Sequence, residues 1–228
     1  MTKEEPGILV LPGAGSFGGE LKPLLDELRP AARIARYPGR FGRDFGKDTT
    51  FAEIVDACAD QASDLPAERV ILVGHSFGAY VAHATAAELE RRGTPLHALV
   101  VVGADAPQLL AVPQALGSDR SAVAAYLQRI DPNLLPDPSD EWRDVVLDTA
   151  VRDLRLLRHY SAAPRPYPRC PVFAARGATD PLTSTDGTGE WSGATAGPFA
   201  QRTFPGGHCD LLTTSVFADW LRAVATGE

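Results

Sequence analysis

The sequence predicts an α/β fold: a mostly parallel central sheet, helices on both of its faces, and a helical insertion before the last strands. Three observations carry this. Short, near-continuous apolar runs suit strands that are buried on both faces. Stripes of apolar residues at helical spacing lie between those runs. Between about Asp105 and Pro168 the alternation stops, and two helical patterns follow one another with no clear strand between them.

In chain order, Ile8–Leu11 is the first strand. Leu21, Leu24, Leu25 and Leu28 form a helical stripe that Pro30 ends. A second strand is expected near Arg33–Tyr37. Phe51, Ile54, Val55 and Cys58 form the next stripe, with Thr49 or Thr50 as its cap. Val70–Val73 is a strand followed by an Ala-rich helix, Ser76–Arg92, closed by Gly93 and Pro95. Leu99–Val102 is another strand. The insertion has one helix from near Ser118 to Ile130. A second follows Ser139, with Asp140 and Glu141 in its first turn. The stripe of this second helix is Trp142, Val145, Val146, Thr149, Leu154 and Leu157. Proline-rich loops at Asp131–Pro138 and Pro164–Pro168 flank it. An insertion placed this way reads as a lid over the carboxyl edge of the sheet, or as an extra packing layer. Pro171–Ala175 and Gln201–Phe204 are the closing strands. Residues 1–228 read as one domain, with the insertion at roughly 105–168.

The chain has 228 residues, 44% hydrophobic and 22% charged, which suits one soluble domain with a sizeable core. The formal net charge of -7 argues against nucleic-acid binding, which needs a cationic footprint. No apolar run approaches the length of a membrane span. The charged start, Met-Thr-Lys-Glu-Glu-Pro-Gly, lacks the apolar core of an export signal. Cys58, Cys170 and Cys209 are odd in number and far apart, so neither a disulfide framework nor a metal pattern is expected. A cytoplasmic location follows.

Gly74-His75-Ser76-Phe77-Gly78 is a G-x-S-x-G pattern. Three fixed letters recur by chance, but here a strand precedes them and a helix follows at once. That setting is the nucleophile elbow of an α/β-hydrolase fold. A serine needs a base, and the chain has five histidines. His75 leaves the turn in another direction, His83 lies on the helix after the elbow, His97 is near a strand start, and His159 is in the insertion. His208 follows the last strand, in a loop at the same sheet edge as Ser76. The chain order of this fold, serine then acid then histidine, also selects it. Asp180 and Asp105 each follow a strand at that edge, and spacing leaves the choice of acid open. An oxyanion would need two N–H donors. Phe77, after the nucleophile, supplies one, and the loop Pro12–Ser16 supplies the other. Gly13, Gly15 and Gly18 also spell a dinucleotide-binding pattern. The second strand, however, ends in Arg36 and Tyr37 rather than the acidic residue such a site requires.

Several spaced motifs then coincide: Leu11-Pro12-Gly13-Ala14-Gly15, Tyr37-Pro38-Gly39-Arg40, Gly74–Ala79, Thr179-Asp180-Pro181, Trp191, Gly197-Pro198-Phe199 and Phe204-Pro205-Gly206-Gly207-His208. In this order they resemble the type II thioesterases of polyketide and nonribosomal peptide assembly lines, over nearly the whole chain. Phe77 stands where that family more often has methionine. Cys209-Asp210 stands where aromatic residues are more usual, and an aspartate at 105 is not part of the pattern. The resemblance favours Asp180 as the acid and Ala14 as the second oxyanion donor. It implies hydrolysis of acyl groups from the phosphopantetheine arm of acyl or peptidyl carrier proteins, through Ser76, His208 and an acyl-enzyme. No metal or cofactor is implied, and a monomer is expected. The alternative on the same fold is a carboxylesterase or a product-releasing, cyclising thioesterase. Carrier proteins are usually acidic, so docking on a chain of charge -7 needs a local basic patch. Arg152, Arg155 and Arg158 share a helix face, with Arg165 and Arg169 just beyond. They form either that patch or a solvated face paired to Asp148 and Asp153.

Overall fold

The computed structural model describes residues 5–135, 137, 140–161 and 167–227. Among them, six strands form one parallel sheet: β1 (Gly7–Leu11), β2 (Ala32–Ile34), β3 (Val70–His75), β4 (Leu96–Val102), β5 (Val172–Gly177) and β6 (Phe199–Phe204). Their order is β2-β1-β3-β4-β5-β6. The chain leaves β1 toward one edge and returns to wind toward the other. The switch point therefore lies between β1 and β3, where open α/β sheets form a crevice at their carboxyl ends. This is the α/β-hydrolase architecture that the elbow predicts.

The unbroken apolar runs follow from burial on both faces. Side chains alternate along a strand. Leu9, Leu11, Leu72, Leu99 and Val101 enter one core, with α2 (Phe51–Ser63), α3 (Phe77–Arg91) and α5 (Trp142–Ser161). Ile8, Val10, Ile71, Val73, Val100 and Val102 enter the other, with α1 (Lys22–Leu28) and α7 (Ser215–Thr226). Fully burying each such side chain contributes about 1.5–3 kcal/mol, so both layers hold the sheet firmly.

The ends of the elements have local causes. Thr50, not Thr49, caps α2: its hydroxyl accepts the Glu53 N–H at 3.2 Å, and the Glu53 carboxylate accepts the Thr50 N–H at 2.7 Å. β2 is shorter than the expected Arg33–Tyr37. Its ladder closes at Ile34, and after Ala35 donates to the Val10 carbonyl the chain turns to bury Tyr37. β5 begins one residue later than expected, because Pro171 has no N–H to donate, and runs on to Gly177.

In the insertion, α4 (Arg120–Ile130) is capped by Asp119, whose carboxylate accepts the Ser121 N–H at 2.8 Å. α5 packs against α2 and α3 as well as α4. Its buried face is Val146, Leu147, Ala150, Asp153, Leu154 and Leu157. Trp142, expected on the apolar stripe, is instead 44% exposed and lies against Phe17. Ser139, Arg165 and part of both proline-rich loops lie outside the described residues. A short helix, α6 (Thr185–Gly189), follows β5. No helix among the described residues is long and apolar enough to cross a membrane.

Candidate active site

β3 stops at His75 and α3 begins at Phe77, so Ser76 alone makes the turn. Its φ is 54° and its ψ -118°, and it is the one non-glycine residue of positive φ among those described. Such strain costs about 1–3 kcal/mol and persists only where the surroundings impose it. Here they do. The Ser76 N–H donates to the Val102 carbonyl at 2.8 Å. A Cβ on Gly74 would lie 2.3 Å from the Gly78 carbonyl oxygen, and one on Gly78 would lie 2.2 Å from that of Leu11. Only glycines let β3, α3 and β1 approach this closely. The Ser76 side chain makes no capping bond to α3, so it is not an ordinary N-cap.

His208 is 3% exposed, in the turn after β6. Its Nδ1 is 2.9 Å from Asp180 Oδ2. Asp180 also accepts the Thr183 hydroxyl at 2.9 Å and the Leu182 N–H at 2.8 Å. Burial pushes the Asp180 carboxyl up. The hydrogen bond and charge of His208, with the Leu182 and Thr183 donors, outweigh that and hold it below its ordinary value. An ionised carboxylate is the state that fixes the imidazole tautomer with its proton on Nδ1. Asp105 is placed differently. It accepts the Ser184 N–H at 3.2 Å, and Tyr80 donates to its carbonyl. Burial raises its carboxyl, partly offset by Ser184, and the nearby charge of Asp180 raises it further.

Ser76, His208, Ala14 and Phe77 line one cavity of about 360 Å³ at the carboxyl edge. Its remaining wall comes largely from the insertion, including Leu116, Tyr126, Leu127, Leu154 and Leu157. A serine hydroxyl on a strained turn and an imidazole held by a carboxylate thus share one largely apolar chamber.

The structure places two residues differently from what the sequence predicts. His75 does not turn away from the site: its Nε2–H donates to the His208 carbonyl at 3.0 Å, and the two rings are 4.7 Å apart. Burial, then the neighbouring His208, lowers its pKa to about 3, so it is a neutral support. Its position beside the serine is the signal that could have found it. Asp153 does not pair with the surface arginines. It is buried against Arg40, and Asp148 pairs with Arg120 at 2.5 Å. Of the arginine face, Arg155 reaches Asp48 at 3.6 Å, and Arg158 and Arg169 are exposed.

Residues 6–223 match the thioesterase domain family. The chain belongs to this family. Its fold is shared with solved thioesterases, and the relatives it matches are named as thioesterases. It is 32% identical to the thioesterase PikA5 of Streptomyces venezuelae over 212 residues, covering 88% of this chain and 74% of that one. It is 27% identical to a probable cadicidin biosynthesis thioesterase of Streptomyces griseus over 207 residues, 88% of this chain. There the match spans 57% of the relative's length. Among solved structures, the type II thioesterase BorB of the borrelidin cluster superposes with a TM-score of 0.82 at 28% identity, covering 97% of this chain and 93% of that one.

Proposed function

We propose that this thioesterase-family chain hydrolyses acyl groups from the phosphopantetheine arm of acyl or peptidyl carrier proteins, clearing or releasing them during polyketide or nonribosomal peptide synthesis. The observation that carries the reading is the cavity shared by the strained Ser76 and by His208, whose ring is held by Asp180 at 2.9 Å. In this reading Ser76 Oγ attacks the thioester carbonyl while His208 Nε2 takes its proton. The Phe77 and Ala14 N–H groups receive the oxyanion, and the N-terminus of α3 favours the same negative charge. The tetrahedral species collapses, the C–S bond breaks, and His208 returns the proton to the leaving thiolate. Water, activated by the same imidazole, then releases the acyl group from Ser76.

The apolar chamber under the insertion, which we read as a lid, suits an apolar acyl chain. The three free cysteines accord with a cytoplasmic setting, and the proposed working unit is a monomer. The test is a hydrolysis panel of acyl-loaded carrier proteins, small acyl thioesters and simple carboxylic esters. Highest kcat/KM on the carriers is expected. A preference for simple esters would favour a carboxylesterase, and macrocyclic rather than linear products would favour a cyclising enzyme.

A further inference from the structure

The oxyanion loop is tied to the insertion through a buried ion pair that lies outside the reacting groups. Arg40 and Asp153 are each 5% exposed, with Nη2 and Oδ2 2.5 Å apart. Arg40 follows β2, while Asp153 is on the inner face of α5. Both reach the loop after β1. The Gly15 N–H donates to Asp153 Oδ2 at 2.8 Å, and Arg40 Nη1 donates to the Ser16 carbonyl. Arg40 also lies over the Tyr37 ring, 4.4 Å from its centroid, and the Tyr37 hydroxyl donates to the Pro12 carbonyl at 3.0 Å. Bonds at Pro12, Gly15 and Ser16 thus bracket Ala14. The contact is close: a Cβ on Gly15 would meet Ala150 at 2.9 Å and the Val146 carbonyl at 3.0 Å. Apolar residues of similar volume can often replace a buried ion pair without loss of stability, so packing alone does not call for charges here.

We infer that Asp153, held by Arg40, is a positioning residue: its carboxylate accepts the Gly15 N–H and thereby aims the Ala14 N–H at the oxyanion, so that α5 sets the geometry of the oxyanion hole. The inference rests on the proposed acyl-transfer reading. If that reading fails, the wild-type enzyme itself will not turn over acyl thioesters, so the two failures are distinguishable.

Two double variants isolate the acceptor. Arg40→Met with Asp153→Asn removes both charges but keeps an oxygen for Gly15. Arg40→Met with Asp153→Leu removes the oxygen as well. Turnover of an N-acetylcysteamine acyl thioester and thermal midpoints are measured for both. Because a lost oxyanion donor costs up to about a hundredfold or more in kcat, the Leu pair should lose about tenfold or more in kcat relative to the Asn pair, with KM and midpoint similar. The Asn pair should stay within about fivefold of wild type. Equal kcat in the two pairs, or a folded Asn pair as slow as the Leu pair, overturns the inference. So does failure of both pairs to fold, which would make the ion pair a stability element.

Discussion

At the scale of the residue, the site separates groups that react from groups that hold them. Ser76 and His208 are proposed to react. Replacing either by Ala is expected to lower kcat by about 10³-fold or more while circular dichroism stays unchanged. Near-normal turnover in either variant would remove that residue from its proposed role. Asp180 and Asp105 make the sharper comparison, since both follow strands at the same edge. Only Asp180 touches the imidazole, whereas Asp105 is engaged by the Ser184 N–H. Asp180→Asn should therefore cost far more kcat than Asp105→Asn on the same thioester, because an amide at 180 disfavours the productive tautomer. The opposite ranking would mean that the acid acts from the end of β4.

At the scale of the element, α5 has two faces with different work. Its inner face buries Val146, Ala150, Leu154 and Leu157 and carries Asp153 to the loop after β1. Arg155 and Arg158 are exposed on the same helix, and Arg152 is half-buried. With a chain charge of -7, attraction of an acidic carrier protein has to be local, and this face is the proposed patch. Replacing the three arginines by Gln should raise KM for acyl-carrier substrates and leave a small thioester unaffected. Added salt should weaken the wild type toward carriers more than the variant. If KM for carriers is the same in both, the face is merely solvated and docking lies elsewhere.

At the scale of the whole molecule, stability should depend on pH through the site. The neutral His75 ring, with a pKa of about 3 in the fold and an ordinary value of 6.5, binds its proton more readily in the unfolded chain. Between those pH values the unfolded state holds more protons, so stability falls as pH falls, by up to about 1.4 kcal/mol per pH unit. The depressed Asp180 carboxyl adds stability that is present above its ordinary 3.8 and is lost as pH drops through its lower folded value. Urea midpoints between pH 7 and 4 should decline less steeply in His75→Gln than in the wild type. An identical slope would show that His75 charges without cost in the fold.

The sequence by itself determined the alternation of strands and helices, the elbow and the placing of His208 in the last loop. Each of these is written in local patterns: continuous apolar runs, helical stripes, and glycines flanking a serine between a strand and a helix. Even the order of motifs that resembles the thioesterase family is a linear property of the chain. Contacts between loops are not linear. Asp180 and Asp105 look alike along the chain, and only the paired ends of β5 and β6 bring Thr179 onto Gly206 and thus Asp180 onto His208. The sequence around His75 does not show its bonding partner, because its bond is to a carbonyl 133 residues away. The sequence neighbours of Asp153 are arginines that suggest a surface pair, while its partner in the fold, Arg40, is 113 residues distant. Periodicity tells which side of a helix is buried. Which charge is waiting on that side is decided by packing, since only there does desolvation force each buried polar group to find a partner.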